Sequence, residues 1–166
     1  MIKTLSLMIV IATLALPAVA SDNFTLYLVR HAEKQLDSKN PSLTQCGRER
    51  ARQLATLLST ANIKSIYSTG YQRTMSTAAP LSKTLNIPIK NYNPRQLEQV
   101  SLQLKQNKQN ALIVGHSNTT PQLAHILSQL SIEPMSEKNY QVLYQIHFAG
   151  KQVSLTKLLQ PHTCKL

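Results

Sequence analysis

Three places in this chain set an arginine or a histidine at or shortly beyond the end of an apolar run. Arg30-His31 directly follow Phe24–Val29, His116-Ser117 directly follow Ala111–Gly115, and Arg73 lies in Ser68-Thr69-Gly70-Tyr71-Gln72-Arg73-Thr74, just beyond Ile63–Tyr67. An imidazole is a nucleophile or proton carrier at neutral pH, and a guanidinium offers a fork of donors that matches oxyanions. Two imidazoles and two guanidiniums at one site, without an evident counter-charge, make a pocket for a dianion, of which phosphate is the common one. A lone Arg-His pair carries little meaning. The reading therefore rests on the elements that would bring the pieces together.

Those elements alternate. Phe24–Val29 is short, aromatic and β-branched, the composition of a buried strand. A polar loop, 35–42, leads to Thr44, which reads as the N-cap of a helix to about Ser59 with Leu54, Leu57 and Leu58 inward. Ile63–Tyr67 is a second strand. A helix over 70–85 follows, which Pro80 should kink or split. Ile87–Ile89 is a brief strand, and Pro94 marks the first turn of a helix to Gln106. Ala111–Gly115 is apolar throughout, as a parallel strand covered on both faces requires, and a helix from Thr119 to Leu130 comes next. Two alternating runs, 140–148 and 153–159, separated by Ala149-Gly150-Lys151, read as a hairpin. This order predicts a three-layer α/β/α sandwich, its sheet mostly parallel with an antiparallel C-terminal hairpin. Parallel strands joined by crossovers lie side by side and bind ligands beyond their carboxyl ends, so His31, Arg73 and His116 should share one crevice.

With these blocks in this order the chain resembles the histidine phosphatase superfamily, which includes phosphoglycerate mutases and histidine acid phosphatases. The resemblance rests on Leu28-Val29-Arg30-His31-Ala32-Glu33, Leu43-Thr44-Gln45-Cys46-Gly47, Ile66-Tyr67-Ser68-Thr69 with Arg73-Thr74, and Val114-Gly115-His116-Ser117. It implies a metal-independent phosphoric monoester hydrolase without a cofactor, in which His31 attacks phosphorus and is transiently phosphorylated. Arg30, Arg73, His116 and Ser117 would hold the phosphate, since positioned positive charge does most of the work in phosphoryl transfer. The substrate would be a small phosphorylated or anionic envelope molecule. A phosphomutase and a non-catalytic phosphate-binding envelope domain are the rival readings.

An ester leaving group also needs an acid. The acid-phosphatase branch has an Asp after the second His, where this chain has Ser117. Glu98 lies in the interval that supplies the acid in the mutase-like branch, and Glu33 lies two residues beyond His31. Glu33 is preferred, because its place near the pocket follows from His31, and Glu98 is its rival.

The front of the chain reads as an export signal. Lys3 precedes an apolar stretch from Leu5 to Leu16, and Ala18-Val19-Ala20 is a small-residue cleavage site. Residues 1–20 would be removed after Ala20, leaving 21–166 as a single periplasmic or secreted domain without stable membrane insertion. In an oxidising compartment Cys46 and Cys164 could be bridged or free. The net charge of +11 is spread along the chain and lacks a nucleic-acid-binding motif, so no nucleic acid partner is expected. His125, His147 and His162 have no comparable setting, and no zinc-type spacing occurs, so no metal site is expected.

Overall fold

The computed structural model describes residues 23–36 and 38–161. The expected leader, Cys164 and His162 lie outside the described residues. The elements run β1 (Asn23–Arg30), α1 (Gln45–Leu58), β2 (Ser65–Ser68), α2 (Gln72–Leu85), β3 (Ile89–Asn91), α3 (Leu97–Asn107), β4 (Ala111–Gly115), α4 (Thr119–Ser128), β5 (Val142–Ala149) and β6 (Gln152–Leu159). The six strands form one sheet in the order β3-β2-β4-β1-β5-β6. β1 to β4 are mutually parallel, β5 runs antiparallel to β1, and β6 antiparallel to β5.

The layers follow from the period of two along each strand. Leu26 and Leu28 of β1, with Ala111 and Ile113 of β4, pack on one face against Leu97, Val100 and Leu104 of α3 and Leu123 and Leu127 of α4. Val29, Leu112 and Val114 pack on the other face against Leu54 and Leu58 of α1 and Ala78 and Leu81 of α2. The uninterrupted apolar run of β4 is the chemical consequence of being covered on both faces. Each fully buried aliphatic side chain here contributes about 2 kcal/mol.

Several boundaries differ from the sequence expectation for identifiable reasons. Leu57 is 50% exposed, and the inner face of α1 is completed by Ala51 and Ala55 instead. α2 continues through Pro80 rather than splitting there. Pro80 sits at the half-exposed edge of that helix, where the carbonyl that loses its amide partner is within reach of solvent. Helix α3 starts at Leu97, not at Pro94. Asn93 Oδ1 accepts from the Arg95 amide at 3.0 Å, and the Asn93 carbonyl accepts from the Gln96 amide at 3.1 Å, so Pro94 occupies a turn. The β5–β6 loop is two residues, Gly150-Lys151, because Ala149 still pairs with Gln152. Gly150 takes φ +60°, the backbone that such a tight hairpin needs.

One contact fixes the first helix beneath the future site. Thr44 caps α1, its Oγ1 accepting from the Gly47 amide at 3.0 Å, and its own amide donates to the Glu33 carbonyl at 2.9 Å. A Cβ on Gly47 would stand 2.2 Å from that carbonyl oxygen, so only glycine lets α1 approach the segment after His31 this closely.

Candidate active site

The register of β1 on β4 pairs Arg30 with Gly115, so the next residue of each strand emerges side by side. Those residues are His31 and His116, whose ring centroids are 5.7 Å apart and nearly perpendicular. β2 lies on the other side of β4, with Ser68 opposite Val114. This brings Thr69 Oγ1 to 3.0 Å from His116 Nε2 and the Arg73 Nη2 atom to 3.4 Å from His116 Nδ1. A cavity of about 550 Å³ opens here, lined by His31, Arg73, His116 and Ser117 together with Lys34, Tyr71, Arg95 and Glu137.

The hydrogen bonds assign the tautomers. His31 Nδ1 lies 2.8 Å from the Ala32 carbonyl, which can only accept, so Nδ1 carries the proton and Nε2 keeps its lone pair. Arg73 can only donate, so His116 Nδ1 accepts and Nε2–H donates to Thr69. Burial pushes the His31 pKa down to about 3, and Arg30, Arg73 and His116 add to the shift against the Ala32 hydrogen bond. Burial likewise takes His116 to about 4, reinforced by Arg73 and Arg30. Both rings are therefore neutral at pH 7, as a nitrogen nucleophile must be. Thr77 braces the arrangement from α2, accepting from the Ala32 amide at 2.9 Å and donating to the Arg73 carbonyl at 2.8 Å.

Arg30 is placed differently from expectation. It is 2% exposed and does not line the cavity itself. Its Nη1 donates to the carbonyls of Glu137 at 2.7 Å, Ser136 at 3.2 Å and Asn139 at 3.4 Å, its Nη2 meets Glu137 Oε2 at 2.8 Å, and its guanidinium stacks 4.1 Å over Tyr140. The Nε atoms of Arg30 and Arg73 are both buried without a hydrogen-bond partner in the protein. A buried donor left unpaired costs about 1–3 kcal/mol, which an oxyanion ligand would relieve.

Neither proposed acid reaches the cavity. Glu33 is turned under α1, where Arg50 grips it through Nε at 3.0 and 2.9 Å and Nη2 at 2.6 Å. The bridge between Lys34 and Leu43 folds the loop back so that Glu33 faces the helix rather than His31. Glu98 is an exposed residue in the first turn of α3 and is not among the lining residues. The lining carboxylate is Glu137, which hydrogen-bonds Ser117 Oγ through Oε1 and pairs with Arg30 through Oε2. The Ser117 hydrogen bond leads in lowering its pKa, with Arg30 and His31 assisting against partial burial, so it is a carboxylate at neutral pH. Glu137 belongs to an irregular segment without periodicity. Its signal was topological: β5 runs antiparallel to β1, so the residues before β5 arrive at the carboxyl end of β1. Lys34 and Arg95 were also missed; each lies four residues beyond the end of a strand, β1 at Arg30 and β3 at Asn91.

The remaining candidates lie apart. His125 Nδ1 bonds the Leu130 carbonyl at 2.7 Å and His147 Nδ1 bonds Thr25 Oγ1 at 3.0 Å. Cys46 is disulfide-bonded and no described cysteine is free, while Cys164 lies outside the described residues. Among the described residues no cluster of three or more His, Cys, Asp or Glu side chains could hold a metal ion, and no helix is long and apolar enough to cross a membrane.

Residues 26–95 match the family model of the histidine phosphatase superfamily (branch 1). Curated protein sequences give no match. Among solved structures, the protein histidine phosphatase SixA complexed with tungstate superposes with a TM-score of 0.67 at 14% identity, over 82% of this chain and 97% of that one. A mycobacterial glucosyl-3-phosphoglycerate phosphatase gives 0.66 at 12% identity, over 85% and 100%. A mutant phosphoserine phosphatase from Entamoeba histolytica in complex with phosphoserine gives 0.64 at 14% identity, over 84% and 98%. At these identities the likeness concerns the fold. The family match thus covers residues 26–95, and the superpositions extend the likeness in fold over most of the chain.

Proposed function

We propose that this protein is a metal-independent phosphatase that works through a phosphorylated His31. The observation that carries the reading is the locked tautomer of His31, which leaves an unprotonated Nε2 in a cavity shared with Arg73 and His116. Nε2 attacks phosphorus, and the bond from phosphorus to the leaving group breaks with its electron pair going to that group. Arg73, whose buried Nε has no partner in the protein, stabilises the charge on the equatorial oxygens; His116 Nδ1 orients that guanidinium, and Arg30 adds its positive charge without lining the cavity. Water then attacks the phosphohistidine, the N–P bond breaks, and the pair returns to Nε2. Glu137, ionised in the free site, accepts the proton of that water. Because Glu137 starts without a proton, leaving groups that depart unprotonated, such as the carboxylate of an acyl phosphate or the imidazole of a phosphohistidine, are favoured over alkoxides. The neighbouring folds of a protein histidine phosphatase and a phosphoserine phosphatase support phosphoryl chemistry at this site.

The test is phosphate release from a panel of phosphorylated compounds by the wild type and His31→Ala, with acid quenching avoided so that an alkali-stable phosphohistidine can be trapped. Loss of both release and label in the variant is expected. Unchanged hydrolysis by His31→Ala overturns the mechanism. We further propose export to the periplasm, with cleavage after Ala20. An exported form whose N-terminus is Ser21 supports this, and an intact Met1 in that fraction refutes it.

A further inference from the structure

The cavity holding His31 does not end at Glu137. A second cavity, of about 480 Å³, shares Ser117, Asn118 and Glu137 with the first and continues over Pro121, Ile132, Pro134 and Met135. The two halves differ in chemistry. The first presents Lys34, Arg73 and Arg95, a setting for a dianion. Beyond Glu137 the lining side chains are aliphatic, proline, Gln122 and His125, with no arginine, lysine or second carboxylate among them. Ile132 and Met135 are half-buried and pack on the core cluster beneath α4, so this floor is preformed. The divide is also fixed in place, because buried Arg30 holds the carbonyls of Ser136, Glu137 and Asn139 as well as the Glu137 carboxylate.

From this continuity we infer that the second cavity is the leaving-group site, and that the substrate is a phosphorylated molecule with an uncharged, apolar body. The phosphoryl group lies by His31 and Arg73, the scissile bond lies over the Ser117–Glu137 divide, and the body rests on Pro121, Ile132, Pro134 and Met135. The Glu137 carboxylate between the two sites disfavours a body with a second negative charge. It also places the one lining carboxylate where the leaving atom departs and water enters. This inference rests on the phosphatase reading of the first cavity and adds the substrate class.

A series of 4-alkylphenyl phosphates from methyl to hexyl tests it, because leaving-group acidity stays nearly constant while the apolar body grows. Burial of each methylene should raise kcat/KM about two- to fourfold, chiefly through KM, until the groove is full. Pro134→Asp and Met135→Ser should each flatten that rise. The matching phosphonates, titrated calorimetrically against the wild type, read binding without turnover. Hydrolysis with no dependence on chain length, or a rise that survives both substitutions, overturns the groove and leaves the phosphatase reading intact. Phosphonate affinity that climbs with chain length while no member is hydrolysed supports the groove and defeats the phosphatase reading instead.

Discussion

His31 and Glu137 present the site with opposite protonation problems, and each has a physical solution in the structure. As the proposed nucleophile, His31 must stay neutral among cations. Burial and its neighbours hold it at about 3, against the ordinary imidazole value of about 6.5. A depressed pKa extends the neutral, nucleophilic form to lower pH. The acid limb of kcat/KM, corrected for substrate ionisation, should therefore fall below pH 5. A limb at pH 6.5 in the pH–rate profile would show that the ring titrates normally. Glu137 must instead lose its proton, and the Ser117 hydrogen bond favours that form. Glu137→Gln should slow breakdown of the phosphohistidine by about 100-fold while its formation from 4-nitrophenyl phosphate persists. Stopped-flow mixing should then show a burst of nitrophenol near one per enzyme followed by slow turnover. A single phase with unchanged kcat would remove Glu137 from the reaction.

At the scale of elements, the site depends on one close approach that only glycine permits. In a helix, Ala is ordinarily more favourable than Gly by about 1 kcal/mol. Gly47→Ala should nevertheless destabilise the fold by about 1–3 kcal/mol in urea unfolding, because its Cβ would meet backbone of the segment that follows His31. A stabilised variant would mean that α1 can retreat freely. Gly115 differs, because a Cβ there would meet side-chain hydroxyls rather than backbone, standing 2.9 Å from both Thr120 Oγ1 and the Tyr92 hydroxyl. Much of this architecture was legible in the sequence. The apolar runs of β1 and β4 announced two covered strands, and histidines directly behind them announced the site. The Thr44 cap of α1 could be read as well. The position of Glu33 could not, because its direction is decided by Arg50, seventeen residues away on a helix face. Glu137 escaped for a different reason: only the pairing of β5 with β1 carries it to the site, and local pattern says nothing of that pairing.

For the molecule as a whole, the cost of keeping two imidazoles neutral appears as acid sensitivity. Both histidines have folded pKa values below the unfolded value, so between about pH 6.5 and 4 the unfolded chain binds more protons. Stability is fully present above pH 6.5 and is lost as pH falls through that window, with a slope of at most about 1.4 kcal/mol per pH unit for each ring. Thermal melts from pH 7 to 4 should show this decline, and His116→Gln should make it shallower; a flat profile would contradict the buried, neutral rings. Cys46 is disulfide-bonded, and we expect its bridge to close on Cys164. The denatured, unreduced protein should then carry no titratable thiol, whereas two thiols would exclude the bridge.

The clamp of Arg30 on residues 136–139 spans more than a hundred positions of sequence. Contacts of such separation bear a large loop-closure entropy and tend to form late in folding. The wall that carries Glu137 and divides the two cavities can be seated only once β5 has docked on β1. During refolding, helical signal and core burial should thus precede the return of the proposed phosphatase activity, which would track the arrival of the C-terminal hairpin. A chain still emerging from synthesis, with its hairpin unmade, would possess both histidines and remain idle.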